Sequence, residues 1–373
     1  MRDADDSEIA PNAKRHALAE AFDQETDPLA EYEEQFEKIE VDPFELFKTD
    51  VLASRDISQR TRTGYDRVFR QWKRFMAGIG RHPACPHHTH ISRFARYELD
   101  EKGNQPQTVK EKLRKLRDAY SYWQADPSFP HPDEYRPFDL ALSTTAFREP
   151  ESKDFPHISL AALREQLAQV THVRNLAIIG LQLKLGLRAT ELCNLTLAEI
   201  DVDHPAIADH YATLGADPRL TNYRNVVYIT HERDGNKSRR PRLLPLDAET
   251  RYLLCQWLLV RPDADHPWVF LSLSRHEQLG KQDVNDIWKT AFHPDYAETN
   301  QHRAVTSHYG RHFFTTYWEV HQDLHRELVQ YLRGDTPGEQ SIDDRATIDE
   351  YLHTYYEDIS DRYRADIFEL EIC

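Results

Sequence analysis

From Ser58 the apolar positions fall three and four apart: Tyr65, Val68, Phe69, Trp72, Phe75 and Met76 share one face, and Gly78 ends the run. That period predicts an amphipathic helix. A second helix is predicted from Ile91 to Lys102, stopped by Gly103 and Asn104, and a third from Thr108 to Gln124. The pattern then breaks. Between Asp126 and Ser159 stand Pro127, Pro130, Pro132, Pro137, Pro150 and Pro156, a density that predicts an extended connector and a domain boundary. Ser159 is a good N-cap, helical patterning resumes through Val170, and Asn175 to Lys184 forms an apolar helix running into Gly186. Val226 to Ile229 and Leu243 to Leu246 read as short strands around the polar stretch Thr230 to Arg242, a hairpin with Asp234 and Gly235 near its turn. Helices dominate to the end, and no internal repeat is visible. The fold class is therefore mainly α with a small antiparallel β-sheet (α+β). An acidic N-terminal tail (1–45), a basic helical domain (46–140), a linker (141–156) and a larger domain (157–373) are expected. The tail has no clean apolar period, so disorder or a loosely held helix is its default.

Charge changes this picture. The 373 residues carry a formal net charge of -16, which by itself argues against a phosphate-rich partner. By position, residues 1–50 hold 16 acidic and 5 basic side chains, 51–150 hold 12 and 18, and 151–373 hold 35 and 24. A segment of net +6 thus lies between two of net -11. Arginine outnumbers lysine 34 to 13, and with abundant Asp and Glu this is the bias of a protein bathed in concentrated salt, where charges are screened within about 3 Å at 1 M. The acidity is read as halophilic solvation, and local arginines as the guide to partners. Arg60 and Arg62 on the first helix, and Lys110, Arg114, Lys115 and Arg117 on the third, are candidates for DNA contact. A merely solvated charged surface is the commoner use of such residues; only the excess of positive sign favours DNA.

Several classes of chemistry fall away. The longest apolar stretch, Leu176 to Leu187, contains Lys184 and is too short to span a bilayer. The acidic start MRDADDSE lacks the basic and apolar parts of a secretory leader, so a cytoplasmic protein without a membrane partner is expected. Cys85, Cys193, Cys255 and Cys373 show no C-x-x-C spacing, which fits a reducing compartment. There is no G-x-x-x-x-G-K-[ST], G-x-G-x-x-G or H-E-x-x-H motif. The cluster of Cys85, His87, His88 and His90 lacks the paired spacing of a structural zinc site, and no compact carboxylate motif supports a two-metal nuclease. Neither metal nor cofactor is expected.

What remains is a dispersed set: Arg188 in GLRATELCNL, Lys237 in DGNKSRRPRLLPL, His308 and Arg311 in TSHYGRHFF, and Tyr351 in IDEYLHTYY. Singly each is weak, since His90 and Arg93 also make an H-x-x-R pair. Their contexts are more specific. RNLAIIGLQLKLGLRATELCNLTLAEID resembles the first arginine box of the tyrosine recombinases, the lambda-integrase-type site-specific recombinases. DGNKSRRPRLLPL resembles that family's lysine hairpin, TSHYGRHFF its H-x-x-R-H box and IDEYLHTYY its Y-x-H box, all in family order.

The resemblance spans about residues 50 to 365. It implies a core-binding domain followed by a catalytic domain, double-stranded DNA as partner, a dimer on each site and a tetrameric synapse. It also implies that the segment after Tyr351 docks on a neighbouring subunit. With the composition, it points to a halophilic archaeal member.

The residue types suit the implied reaction. Attack on a phosphodiester gathers negative charge on nonbridging oxygens, so fixed cations are needed there, and the planar forks of Arg188 and Arg311 supply them. A phenol titrates near about 10, so Tyr351 needs cationic neighbours or a proton acceptor such as His308 to form a phosphotyrosine. Lys237 at a hairpin tip is the implied general acid for the leaving 5' oxygen, and Glu191 an implied brace for Arg188. Each has a plainer alternative. Arg188 caps a helix, Arg239, Arg240 and Arg242 compete with Lys237 as phosphate grips, and Tyr351 lies in the apolar stripe Ile348, Tyr351, Leu352, Tyr355. Tyr355 and Tyr356 are rival nucleophiles without the Y-x-H context that Tyr351 shares with His353.

One position departs from the family. Where a His or Trp follows Gly, LRGDTPG places Asp335 after Gly334. An ionised Asp accepts hydrogen bonds only and repels phosphate. Asp335 is therefore expected to orient a cation, with Arg333 or His353 donating in its stead. Two other functions stay open: a type IB topoisomerase-like relaxing enzyme, and a noncatalytic DNA-binding protein that kept the fold.

Overall fold

The computed structural model describes residues 18–22, 25–148, 152–238, 240–335 and 345–372, with side chains described from Tyr355 onward in the last stretch. The chain divides into two compact units, Met1–Glu151 and Ser152–Cys373.

The first unit is helical: α1 (Glu33–Lys38), α2 (Pro43–Phe47), α3 (Gln59–Gly78), α4 (His88–Arg96), α5 (Pro106–Ala125) and α6 (Pro137–Thr144). Ser58 accepts from Thr61 N and starts α3, whose stripe Tyr65, Val68, Phe69, Trp72 and Met76 is buried. Ile91, Phe94 and Ala95 of α4 and Leu113, Leu116 and Trp123 of α5 complete one core with it. Two expectations are corrected here. The supposed acidic tail is partly built into the core: Leu29, Phe36 and Phe44 are buried, and Phe44 packs on Phe69 and Trp123 at ring separations of 4.7 and 4.8 Å. Their apolar positions show no single period because two short helices share them, the second begun by Asp42, which accepts from Phe44 N, and by Pro43 at its first turn. The proline-rich connector likewise contains α6, since Pro137 sits at the helix start, where no donor is needed. The histidines before α4 act locally: His87 caps the helix, and His90 Nδ1 accepts from His87 N at 3.2 Å.

The second unit contains α7 (Leu160–Ala168), α8 (Val173–Leu185), α9 (Ala189–Cys193), β1 (Ile200–Asp201), α10 (Pro205–His210), β2 (Val226–Ile229), β3 (Arg242–Pro245), α11 (Ala248–Val260), α12 (Lys281–Phe292), α13 (Ser307–Thr316), α14 (Arg326–Arg333) and α15 (Arg345–Asp366). Every residue from Ala177 to Leu185 is buried, and α11 and α13 pack on this central helix. Lys184 can sit there because Asp247 and Glu249 meet its ammonium at 2.5 and 2.6 Å. The strands form one antiparallel sheet in the order β1-β2-β3, with Ile200 opposite Val227 and Ile229 opposite Arg242. The sequence reading missed β1 and started β3 one residue late, because Arg242 reads as a polar boundary yet is wholly buried. The last residues dock on their own unit: Leu370 N and Ile372 N donate to Glu249 at 2.7 and 2.9 Å, and Phe368 and Leu370 join the core. Glu249 is the anchor that holds the segment in place on its own unit. Among the described residues no helix is long and apolar enough to cross a membrane.

Candidate active site

The turn that ends α8 positions the first arginine. Gly186 takes a left-handed conformation, φ 62°, letting the chain reverse into Leu187 and Arg188. Arg188 is the residue before α9, and Glu191, one turn into that helix, accepts from Arg188 N and Nη1, both at 2.9 Å. Glu191 also receives the guanidinium of Arg242, at 2.7 Å to Oε2. Both partners are fully buried. Burial alone would raise the Glu191 pKa, but Arg242 and then Arg188 hold it down to about 2. Arg242 is thus a brace beneath the site, not the phosphate grip that competes with Lys237.

Arg311 comes from α13, which packs against α8. Its Nη1 donates to Gly186 O at 2.9 Å and to Arg333 O at 2.8 Å, so the backbone of the α8 turn and the end of α14 fix its fork. Burial pushes its pKa down to about 9, with Arg188 adding to the effect and Asp335 opposing it; it stays charged at neutral pH. Arg188 Nη2 and Arg311 Nη2 converge on one oxygen, Asp335 Oδ1, at 2.5 and 2.6 Å. Arg333 Nη2 holds the other carboxylate oxygen at 2.9 Å. His308, one turn before Arg311, is exposed, and partial loss of hydration together with Arg311 and Arg303 pulls its pKa below the usual imidazole value. It is therefore neutral near pH 7 and able to accept a proton.

The hairpin loop reaches the same cluster through side chains that sequence reading missed. Ser238 Oγ donates to Arg240 O at 2.7 Å and Gly334 O at 2.9 Å, and the Tyr331 hydroxyl joins Leu243 N and O at 3.0 Å each. These contacts tie the loop to the end of α14, next to Asp335. Lys237, beside Ser238, is exposed. The cue was only that Ser238 and Arg242 flank the basic run before an apolar strand. Tyr351 and His353 lie on α15, but their side chains are outside the described residues, as is Arg239. Tyr355, one helical turn after Tyr351, stacks on Tyr331 at 5.2 Å. Tyr356 is buried, receives Arg364 Nη2 at 3.0 Å, and has its pKa raised by burial, a poor setting for a nucleophile.

The cations named for DNA contact on the first unit are mostly committed within it. Arg62 donates to Leu52 O and Arg55 O, Arg114 pairs with Glu111 and Asp118, and Arg117 pairs with Asp139. Lys115 lies over the Tyr65 ring and Lys110 over the Phe147 ring. Arg60 is exposed. A groove of about 740 Å³ elsewhere on this unit is lined by Arg67, Arg74, Arg93, Arg96 and Lys102, which sequence reading had not singled out for DNA, and also by Glu98, Asp100 and Glu101.

The second unit thus gathers three guanidiniums around one partly exposed carboxylate, an arrangement suited to holding an anion. Residues 158–334, within the second unit, match the phage integrase family, a match that supports a tyrosine site-specific recombinase. No curated protein matches the sequence. Among solved structures, the Tn1549 transposon integrase in complex with a circular intermediate DNA is similar, with TM-score 0.59, 16% identity, and coverage of 83% of this chain and 99% of that one. A lambda integrase dimer bound to a COC' core site gives 0.55, 16%, 81% and 98%. A lambda integrase tetramer bound to a Holliday junction gives 0.58, 16%, 91% and 90%. At these identities the structural likeness establishes the fold, mostly helical with a small sheet, and the family match is confined to residues 158–334.

Proposed function

We propose that the chain cuts and rejoins double-stranded DNA at defined sites, with Tyr351 as nucleophile and a 3'-phosphotyrosine as intermediate. The observation that carries this reading is the convergence of Arg188 and Arg311 on a single oxygen, at 2.5 and 2.6 Å. Two guanidiniums so aimed stabilise the charge that gathers on nonbridging oxygens during attack. The phenolic oxygen of Tyr351 bonds to phosphorus and its proton passes to neutral His308. The bond from phosphorus to the 5' oxygen breaks, and that oxygen takes a proton from the Lys237 ammonium. A second 5' hydroxyl reverses the step, because the phosphotyrosine conserves the bond energy of the phosphodiester.

The excess of cations over carboxylates along the groove of the first unit supports backbone contact. Dimers on each site and a tetrameric synapse are proposed by likeness to the lambda integrase assemblies. The acidic, arginine-rich composition supports a halophilic archaeal cell, with the protein in its cytoplasm.

A duplex nicked so that the cleaved fragment diffuses away tests the reading. The wild-type chain should trap a covalent adduct that Tyr351→Phe loses and Tyr356→Phe retains. Gel shifts without any adduct would make this a DNA-binding protein and overturn the proposal.

A further inference from the structure

Asp335 stands where an ordinary DNA-binding cluster should hold no negative charge. Its two oxygens receive three guanidiniums: Arg188 and Arg311 on Oδ1, and Arg333 on Oδ2. The inner arms of the first two are fixed elsewhere, Arg188 Nη1 to Glu191 and Arg311 Nη1 to Gly186 O and Arg333 O. The arms aimed outward, both Nη2, are those on Asp335. A phosphodiester also presents two charged oxygens, and it would need these same donors. Two anions at this separation repel one another, so carboxylate and phosphate compete for one seat.

The local structure permits the exchange. The backbone up to Asp335 is anchored: Asp335 N donates to Gln330 O at 2.9 Å, Gly334 N to Tyr331 O at 2.9 Å, and Ser238 holds Gly334 O. Gly334 has φ 63°, and a Cβ there would meet Ser238 and Arg242, so only glycine ends α14 against this hairpin. The side chain beyond it keeps about 30% of its surface in water. If it left, the inner arms of Arg188 and Arg311 would still be fixed to Glu191, Gly186 O and Arg333 O, and their outer arms would be open to another anion.

We propose that Asp335 is a tethered stand-in for the scissile phosphate, keeping the arginine cluster assembled in the DNA-free enzyme and leaving its seat when a phosphodiester binds. This rests on the reading of Arg188 and Arg311 as the phosphate grip. It assigns Asp335 a positioning role beyond orienting a single cation, and it makes Arg333 a third donor once the carboxylate has moved.

The test uses the full chain and inorganic phosphate at constant ionic strength, with binding read by calorimetry and folding by melting temperature. Asp335→Asn keeps the shape and removes the charge. It should bind phosphate at least about tenfold more tightly than wild type, since the seat is no longer self-occupied. Asp335→Ala should do the same if the amide disturbs its neighbours, and Asp335→Glu should stay near wild type. Equal phosphate affinity in wild type, Asn and Ala variants that still melt cooperatively would overturn the proposal, as would a Glu variant that gains like Asn. Adduct trapping with the same variants is a separate readout. Tighter phosphate without any adduct from wild type or variant would overturn the strand-transfer reading and leave the competition for the seat intact.

Discussion

Glu191 joins two arginines through one carboxylate, and it does so in a place without water. Its pKa falls from 4.5 to about 2 on folding, because Arg242 and Arg188 outweigh the opposing effect of burial. A folded pKa below the unfolded one contributes stability that is complete above about pH 4.5 and is lost as the pH falls toward 2. Glu191→Gln should therefore flatten the acid limb of stability in that window. At neutral pH it should cost about 3–5 kcal/mol, the usual penalty for leaving a buried charge unpaired, measured by denaturant unfolding at fixed KCl. A cost below about 1 kcal/mol with the acid limb unchanged would contradict the brace. The carboxylate itself is visible in the sequence, as the Glu three residues after the first-box arginine. Its second partner is not, because Arg242 lies 51 positions away, and nothing in a basic run says which member is buried. Asp335 was legible as a misfit to a donor position, yet the three arginines around it come from the start of α9, the middle of α13 and the end of α14, which only the fold assembles.

The hairpin is the element that carries the proposed general acid. Its loop is fastened on both sides of Lys237: Asn236 Nδ2 donates to Thr230 O at 2.7 Å, and Ser238 holds Gly334 O. Lys237 is thus held on a short leash while the residue itself stays exposed. Lys237→Ala should slow cleavage of an ordinary duplex by about 10²–10⁴-fold, the range of a lost general acid. On a duplex with sulfur in place of the leaving 5' oxygen the loss should largely vanish, since a thiol with pKa near about 8.5 departs without prior protonation. Equal slowing on both duplexes would exclude proton donation. Apolar spacing revealed α3, α5 and α8, which each bury a continuous stripe. It failed over residues 33–47, where Phe36, Phe44 and Phe47 belong to two helices and are buried by α3 and α5, partners distant in sequence.

Across the whole molecule, the net charge of -16 and the proposed DNA partner pull in opposite directions. Salt reconciles them in part, because it screens self-repulsion over a few ångströms while also weakening phosphate contacts. If the acidity is halophilic solvation, raising KCl from 0.1 to 2 M should raise the melting temperature by roughly 5–10 °C, a gain of a few kcal/mol for units of this size. A flat or falling response would remove the halophilic reading and leave the enzyme class untouched. The charge counts showed a net-positive stretch between two net-negative ones, but not that the first of these shares a core with it. Which cations face outward was not, since Arg62, Arg114 and Arg117 are held by partners within the first unit.

The most direct measurement is the identity of the residue esterified to DNA. Adduct formed on a nicked duplex, digested with protease and sequenced by mass spectrometry, should carry the nucleotide mass on the peptide containing Tyr351 and vanish in Arg311→Ala. A mass on Tyr355, Tyr356 or any serine, or an adduct that forms equally well without Arg311, would contradict the proposed chemistry.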